Sequence, residues 1–264
     1  MLKLYTHPMS PCSQKVRIVL AEKNLEWEKH DVNLPEKENL TPEYLKLNPL
    51  GVVPTLVDDG RSVIESSIIC EYLDDKFPNP SLRPADPYLS SQMRFWMKHI
   101  DNKVHPGCGA LQWPLVMAHR LKALSEAEQD AIIDKVIEKP RRERQRRLLK
   151  MGYDAPDVID GVATYEQTIR DMDEVLSGQA WLAGDEFSLA DAAMAPYFQT
   201  LYQFGWGDWY KSREHVYDWY QRVTNRDSYS RGVAEDFSEE KLAELNRKGE
   251  AAWLKIQEYL KVGR

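Results

Sequence analysis

The sequence predicts two folded parts, a small α/β domain with a mixed four-stranded sheet and then an all-α domain built as a helical bundle. Strand and helix signals alternate over about the first 80 residues, and such alternation is typical of a sheet whose faces are covered by helices. A proline-rich stretch follows, and nearly every later segment repeats apolar residues at the spacing of a helix.

The first domain is predicted from seven short runs in the order β-α-β-α-β-β-α. The last two strand-like runs flank Asp58-Asp59-Gly60, which has the composition of a turn. The strand-like runs are 2–7, 26–32, 52–57 and 62–65. The helical runs are 11–23, 41–47 and 66–77.

A linker is predicted where Pro78, Pro80, Pro84 and Pro87 follow one another closely. Proline lacks a backbone N–H and clashes with the preceding helical turn, so these residues cannot continue one helix. We therefore expect a first domain over 1–80, a linker over 81–88 and a helical domain over 89–264. The predicted helices after the linker are 90–104, 125–139, 164–178, 188–204, 213–225 and 238–260.

The bulk properties exclude several classes of partner. The 264-residue chain has a formal net charge of −7, which gives no overall attraction to nucleic acid or to an anionic membrane. No apolar run approaches the roughly 18 residues of a membrane span, and the first residues lack the apolar region of a signal peptide. Three cysteines do not make a disulfide framework. We expect a cytoplasmic protein with neither membrane nor nucleic-acid partners.

The run KPRRERQRRLLK at 139–150 is strongly basic, although the chain as a whole has a negative net charge. Such a run is either a solvated helix face or a phosphate-binding surface. Acidic helices flank it and no aromatic residue lies within it, which favours the solvated face.

The tetrapeptide Ser10-Pro11-Cys12-Ser13 resembles a C-P-x-C redox motif in which serine replaces both outer cysteines. Ser10 and Pro11 are preferred residues for the N-cap and first position of a helix. A helix N-terminus favours a bound anion, so Ser10 either caps the helix alone or also receives a thiolate from another molecule. Cys12 is either a nucleophile for thiol exchange or, as we expect for a helix-buried thiol, inert.

Two further segments fit a small thiol peptide. Pro54 lies between strand-like residues, where proline usually marks an edge, a bulge or a cis bond, and a cis bond would turn the Val53 N–H and C=O outward for strand-like pairing. Glu65 and Ser66 stand at a strand-to-helix junction. They either cap the helix or bind an α-amino-acid head group, with the carboxylate on the ammonium and the helix start on the carboxylate.

Four ordered blocks resemble the glutathione S-transferase superfamily: SPCSQKVRIVLAEKNLEWE, LNPLGVVPTLVDDG, ESSIICEYLDDKFP and WLAGDEFSLADAAMAPY. In the last block, Ser188 to Asp191 matches the S-x-x-D capping box of that family. The resemblance implies a thioredoxin-like first domain, a homodimer and glutathione as co-substrate, with no metal.

The same resemblance implies a role for each site residue. Ser10 would donate a hydrogen bond to the glutathione thiolate, Val53-Pro54 would pair with the cysteinyl backbone, and Glu65 and Ser66 would hold the γ-glutamyl end. The basic residue that many relatives place against the glycine carboxylate is missing near Leu40. Lys37 or Asn39 is the candidate substitute.

Within the superfamily, the stretch SLRPADPYLSSQMRFWMKHID and the long helical insert look similar to bacterial glutathione-dependent β-aryl etherases of lignin breakdown. Those enzymes use glutathione thiolate to displace an aryloxide from the carbon beside a ketone. Their serine aligns nearer Ser13 than Ser10, so the resemblance leaves both hydroxyls as candidate activators.

The electrophile is expected between the domains, against aromatic residues. Aromatic residues at helical spacing are more often core than site, so these are candidates only. His99 and His105 have no carboxylate partner at a metal-like spacing, and we expect no metal. The candidate substrate-binding residues are Trp96, His99, Trp113, Met117, Tyr202 and Trp206, with Tyr197 and Trp209 as further lining candidates.

The sequence thus predicts a glutathione transferase acting on a hydrophobic, aromatic electrophile, with β-aryl ether cleavage as a specific possibility. Two alternatives stay open. One is a glutathione-dependent thiol transferase or reductase that works through Cys12, and the other is a non-catalytic ligand-binding or interaction module.

Overall fold

The structure, a computed structural model, describes residues 1–262; the last two residues of the predicted helical domain, 263 and 264, lie outside the described residues. The N-terminal part contains a mixed four-stranded sheet of order β2-β1-β3-β4. Strand β1 pairs in parallel with β2 and antiparallel with β3, and β3 pairs antiparallel with β4. The strands are β1 (Leu2–Thr6), β2 (Trp27–Asp31), β3 (Thr55–Asp58) and β4 (Arg61–Val63).

Three helices accompany the sheet, and the predicted thioredoxin-like arrangement is confirmed. Helix α1 is buried along almost its whole length, and α3 and two helices of the C-terminal part pack against it. The predicted strand over 52–57 begins only at Thr55, since the Val53–Pro54 bond is cis and breaks the extended run. The helices are α1 (Pro11–Glu22), α2 (Pro42–Leu47) and α3 (Ser66–Lys76).

The rest of the described chain is helical, which confirms the predicted all-α fold of the C-terminal part. The predicted helix over 125–139 is shorter than expected, because α7 ends at Ile133 and a turn precedes the next helix. The helices are α4 (Pro87–His99), α5 (His105–Trp113), α6 (His119–Leu121), α7 (Glu126–Ile133), α8 (Lys139–Met151), α9 (Pro156–Leu176), α10 (Leu189–Gln203), α11 (Asp208–Lys211), α12 (Glu214–Thr224), α13 (Asp227–Gly232) and α14 (Glu239–Val262).

Helices α4, α5 and α6 are continuous through two π-helical segments, Ile100–Val104 and Pro114–Ala118. Pro106 and Pro114 lack the N–H that an uninterrupted α-helix would use, and each lies beside or within one of these segments. Wider π turns of this kind often lie at functional sites. The first segment ends directly before His105, which faces the site described below.

The predicted capping box is present at the start of α10. Both Asp191 carboxylate oxygens are buried and accept hydrogen bonds: Oδ1 from the Leu182 N–H and the Trp219 indole N–H, and Oδ2 from the Ser188 N–H and hydroxyl, at 2.9 to 3.0 Å. Asp191 therefore ties together a loop, the α10 N-terminus and helix α12.

The basic run forms α8, and two of its arginines make ion pairs with carboxylates of α7 and α9 and of the residue after α7. Arg146 pairs with Asp130 and Asp134, and Arg147 makes a two-pronged contact with Asp157. In the described part of the chain, no helix is long and apolar enough to cross a membrane.

Candidate functional site

The turn between β1 and α1 presents Ser10 at a helix start. Ser10 is the N-cap, with φ −90° and ψ 113°, and its Oγ accepts the Ser13 N–H at 3.3 Å. Its N–H donates to the His7 carbonyl at 3.1 Å, which closes the turn. Ser10 is only half-buried. Because its oxygen serves as an acceptor in the cap, its hydroxyl hydrogen is available to a group outside the turn.

Ser13, the second candidate activator, has a different environment. Its side chain is fully buried, and its Oγ accepts the His7 N–H at 3.3 Å. The two hydroxyls thus stabilise the same turn from opposite sides. Of the two, Ser10 has the more accessible hydroxyl.

Val53 presents the peptide-pairing edge that the sequence predicts. The Val53–Pro54 bond is cis, and among the described residues neither the N–H nor the C=O of Val53 has a hydrogen-bond partner. The neighbouring backbone is held from behind, since Asn48 Nδ2 donates to the Val52 carbonyl at 2.8 Å and the Tyr44 hydroxyl donates to the same carbonyl at 2.7 Å. The pairing groups of Val53 are therefore fixed in place and unused.

Glu65 and Ser66 lie at the start of α3. Glu65 is exposed and adopts φ 68° and ψ 110°, a region that costs a non-glycine residue about 1–3 kcal/mol and is found mainly at ligand-binding positions. Ser66 is buried as the first helical residue. The exposed Glu65 carboxylate and the α3 N-terminus are therefore adjacent in the chain.

Lys37 and Asn39 lie in the loop before α2. Asn39 Nδ2 donates to the Gly51 carbonyl at 2.6 Å, which occupies the amide in holding the loop. Lys37 has no ion pair among the described residues. Burial and the positive charges of Arg141 and Lys135 lower the pKa of Lys37. Of the two, Lys37 is the one with a charge free to meet an anion.

Cys12 of α1 contacts polar side chains of the helical domain. It is half-buried, and its Sγ lies 3.5 Å from Nδ1 and 3.9 Å from Nε2 of His105, the first residue of α5. The Tyr197 hydroxyl of α10 lies 3.9 Å from the same sulfur and 3.3 Å from His105 Nδ1. In a C-P-x-C motif the third position, here Cys12, points along the helix and away from the substrate. In this structure the helical domain covers that face of α1, and its residues His105 and Tyr197 contact the sulfur.

The charge balance around Cys12 favours the thiolate. Burial opposes its ionisation, but the charge and hydrogen bond of His105, the Lys15 ammonium and a hydrogen bond from Ser66 outweigh burial and lower the Cys12 pKa to about 6. Lys15 is fully buried beneath it, 2.9 Å from both Asp101 Oδ1 and Ser67 Oγ. Sequence reasoning missed His105 and Lys15 as partners of Cys12. The only local indication was Lys15, a charged residue next to the apolar residues of α1.

The candidate acceptor residues do not gather in one place. Trp113 and Met117 are half-buried on the helix that follows His105. Trp96 and Trp206 are buried in the core, and the Trp206 indole donates to the Gly249 carbonyl at 3.0 Å. His99 Nε2 lies 2.8 Å from Thr168 Oγ1 of α9.

Tyr202 lines a different opening. It borders a cavity of about 400 Å³ between α10, α12 and the segment before α14. None of the residues around Ser10 lines that cavity. Of the further candidates, Trp209 is buried and donates to Glu166, whereas Tyr197 lies beside Cys12. Among residues 1–262, no group of three or more His, Cys, Asp or Glu side chains is placed to hold a metal ion.

Comparison with known proteins identifies the family. Residues 4–81 match the N-terminal domain of glutathione S-transferases and residues 153–227 match the C-terminal domain. The protein LigF of Sphingobium sp. is 33% identical over 192 residues, which are 72% of this chain and 75% of that protein. Maleylacetoacetate isomerase of Pseudomonas aeruginosa is 29% identical over 208 residues, covering 77% and 83% of the two chains.

The solved structures agree with the sequence matches. The crystal structure of β-etherase LigF from Sphingobium sp. superimposes with a TM-score of 0.80 at 29% identity, over 89% of this chain and 99% of that one. These matches confirm the family resemblance and the fold predicted from the sequence.

Proposed function

The chain belongs to the glutathione S-transferase family, and from that premise we propose that it activates the glutathione thiol with the Ser10 hydroxyl and directs the thiolate at a hydrophobic, aromatic electrophile. The observation that carries this proposal is the half-buried Ser10 hydroxyl at the start of α1, in a chain that also has an unpaired Val53 backbone and the Glu65–Ser66 helix start. Ser13, fully buried, is the second candidate for the same role.

The proposed glutathione contacts follow the chemistry of the tripeptide. The cysteinyl backbone pairs with the Val53 N–H and C=O next to Pro54. The γ-glutamyl ammonium meets the Glu65 carboxylate, and its carboxylate meets Ser66 and the α3 N-terminus. The Lys37 ammonium meets the glycine carboxylate, while Asn39 stabilises the loop that carries Lys37.

Thiolate formation is the step that the protein must favour. A free thiol has a pKa of about 8.5, so at pH 7 only about 3% of it is ionised. Lowering that pKa by about two units, roughly 2.7 kcal/mol, makes thiolate the main species. A hydroxyl donor and the partial positive charge of the α1 N-terminus together supply stabilisation of this size.

For the electrophile we propose β-aryl ether cleavage, in which glutathione thiolate displaces an aryloxide from the carbon beside a ketone. Similarity to the β-etherase LigF supports this substrate class. The role that follows is lignin degradation, with detoxification of hydrophobic electrophiles as a second role. Trp113 and Met117, half-buried on the helix after His105, are the best-placed acceptor contacts. Trp96 and Trp206 support the helical domain from its core, His99 contacts Thr168, and Tyr202 borders a separate cavity.

The test compares Ser10→Ala, Ser13→Ala and the double variant in ultraviolet titrations of bound glutathione and in turnover of a β-aryl ether ketone. We expect Ser10→Ala to remove the thiolate absorbance at pH 7 and to lower turnover at least tenfold, with a smaller effect for Ser13→Ala. Ser125→Ala is the matched control, because Ser125 caps the exposed helix α7. Full activity in the double variant would refute the hydroxyl mechanism.

The assembly and location are also proposals. We propose a cytoplasmic homodimer, with domains over 1–80 and 89–264 joined by the linker 81–88, and light scattering tests the dimer. A non-catalytic binder or interaction module is the competing reading. It predicts no turnover of any aryl halide, disulfide or β-aryl ether ketone, whether or not calorimetry detects bound glutathione. The thiol-transferase reading through Cys12 rests on the separate contact between Cys12 and His105.

A further inference from the structure

Helix α8 contains five arginines, and two of them lack a partner. Among residues 1–262, the side chains of Arg141 and Arg144 make neither an ion pair nor a hydrogen bond, whereas the other three donate to carboxylates or to a backbone carbonyl. Arg141 and Arg144 are half-buried, and burial is the main cause that lowers the pKa of each guanidinium. A partly desolvated cation without a counter-charge is destabilising, so an anion bound at this place would be stabilising. The three partnered arginines are Arg142, Arg146 and Arg147.

Arg144 lies against the helix that carries the proposed acceptor contact Trp113. Its Nη2 is 3.6 Å from the position that a Cβ atom on Gly109 would occupy. Gly109 comes four residues after His105 and four before Trp113, so the three positions follow one another along one side of α5. His105 faces the Cys12 sulfur on that side. Because Gly109 has no side chain, the Arg144 guanidinium reaches the α5 surface between His105 and Trp113.

Arg141, about one turn earlier in α8, lies nearer the first domain. The segment before α8 packs on the loop that precedes the cis peptide bond, since Ile137 Cδ1 is 3.2 Å from the position of a Cβ atom on Gly51. The Arg141 guanidinium is within electrostatic range of Cys12, and its charge adds to burial in lowering the pKa of Lys37. The two arginines therefore lie between the proposed glutathione site and the proposed acceptor contacts on α5.

Neighbouring carboxylates do not neutralise this pair of arginines. Glu138 is exposed and makes no ion pair among residues 1–262, and Asp157 is already held by Arg147 at 2.6 Å. Arg141 also repels Arg144, and this repulsion adds to burial in lowering the pKa of Arg144. The space between α1, α5 and α8 thus has an excess of positive charge, which favours an anionic ligand there.

Helix α8 lies between the two segments that match the family, 4–81 and 153–227, so the matched family pattern does not account for its arginines. We propose that Arg141 and Arg144 bind an anionic group on the electrophile and select aromatic electrophiles that carry a carboxylate. The planar guanidinium presents paired N–H donors at the spacing of carboxylate oxygens, and the aromatic ring packs against Trp113. This inference rests on the proposed transfer to carbon and narrows its substrate class.

The charge of the nucleophile gives these arginines a role in the reaction itself. The nucleophile is a thiolate, and an electrophile with its own carboxylate is repelled by it. Two guanidiniums beside the cleft offset this repulsion and orient the electrophile by its carboxylate. The glycine carboxylate of glutathione is the other anion within the proposed site, and steady-state kinetics separate the two.

The first experiment compares 4-chloro-3,5-dinitrobenzoate with its methyl ester as electrophiles. With both, the glutathione thiolate forms a C–S bond to the ring carbon and chloride leaves. Each kcat/KM is divided by the rate constant of the uncatalysed reaction with free glutathione, because the ester activates the ring more strongly than the carboxylate does. We expect the wild type to favour the carboxylate at least about tenfold, and the double variant Arg141→Gln/Arg144→Gln to lose this preference. Each single variant should lose part of it.

Arg142→Gln is the matched control. It removes the same charge from the same helix, but the Arg142 guanidinium donates to the Asp134 carbonyl, so the preference should stay as in the wild type. A packing defect alone would slow both electrophiles alike and leave their ratio unchanged. A wild-type preference near one, or a preference that survives in the double variant, would overturn the proposal. A higher KM for glutathione with an unchanged ratio would assign the arginines to the glycine carboxylate and would overturn it too.

The second experiment measures binding without turnover, by calorimetry of S-(4-carboxybenzyl)glutathione and of the same conjugate with its benzoate as a methyl ester. We expect the wild type to bind the carboxylate conjugate about tenfold more tightly, and sodium chloride between about 20 and 500 mM to reduce that difference. The double variant should bind both alike. Equal affinities in the wild type would refute the anionic electrophile and leave the proposed glutathione site standing. If neither conjugate nor glutathione binds, the proposed function itself is wrong and this inference falls with it.

Discussion

Replacing Asp191 with asparagine tests whether the buried carboxylate at the start of α10 organises the helical domain. The carboxylate accepts four hydrogen bonds, two on each oxygen. An asparagine amide keeps the size and one oxygen, but its NH₂ group must face two donors. Whichever way the amide turns, at least one buried N–H loses its acceptor.

The expected loss of stability is worked out for the amide orientation that breaks fewer hydrogen bonds. If the NH₂ group replaces Oδ2, the Ser188 hydroxyl can rotate and accept from it, which leaves only the Ser188 N–H unpaired. One unpaired buried donor costs about 1–3 kcal/mol, and the bonds to Leu182 and Trp219 lose their charge assistance, about 1 kcal/mol more. We expect Asp191→Asn to lower the free energy of unfolding by about 3 kcal/mol.

Urea unfolding followed by tryptophan fluorescence and by far-ultraviolet circular dichroism measures this value, with an unchanged m-value as the sign that only stability changed. Asp185→Asn is the control, since Asp185 is exposed on the same loop and should stay within about 0.5 kcal/mol of wild type. An Asp191→Asn variant as stable as that control would show that the four bonds do not carry the stability assigned to them.

For three further substitutions the structure predicts a change in the free energy of unfolding. Lys23→Met should destabilise the fold by about 3 kcal/mol, because the buried Asp74 carboxylate loses the Lys23 ammonium at 2.7 Å and keeps only the Arg83 guanidinium at 3.9 Å as a counter-charge. Gly249→Ala should destabilise although alanine favours helices, because a methyl group there overlaps the Phe204 carbonyl. Glu65→Gly should raise the free energy of unfolding by about 1 kcal/mol by relieving the φ of 68°, and should weaken glutathione binding about tenfold, as calorimetry would show.

Each of these three has a neighbour or counterpart as control. Lys46→Met removes an exposed lysine and should leave the urea midpoint unchanged. Glu250→Ala changes the residue next to Gly249 on an exposed helix face and should be neutral or stabilising. Ser62→Gly, in exposed β4, should lower stability slightly and leave glutathione affinity unaltered. Loss of affinity without a gain in stability in Glu65→Gly would contradict the assigned strain.

Local sequence signals predicted the parts of this molecule that local interactions determine. The Ser10 N-cap, the strand interruption at Pro54 and the Ser188–Asp191 capping box each depend on residues within a few positions of one another. For Pro54, the cis bond was one of three alternatives, with an edge and a bulge. Each of these features can be predicted from a short stretch of sequence. The order of several such stretches along the chain indicated the family and the fold.

The contact of Cys12 with His105 could not be predicted from a short stretch of sequence. The two residues are 93 positions apart, and the C-P-x-C comparison describes only the first domain, where the third position points away from the substrate. Nothing in the local pattern says that α5 and α10 cover that face. Likewise, the helical spacing of aromatic residues that made Trp206 a candidate does not distinguish a core residue from a residue that lines a cleft. The packing of the folded protein places Trp206 in the core.

The first π segment lets the helix before the Cys12–His105 contact hold one extra residue. A π turn contains one residue more than the α turn it replaces. Its wider winding absorbs the rotation of about 100° that one more residue would add to an α-helix. Deleting one residue from Ile100–Val104 should therefore return this stretch to an α-helix and leave His105 facing the Cys12 sulfur. The imidazole–thiol pair thus tolerates the loss of one residue at this place in the chain.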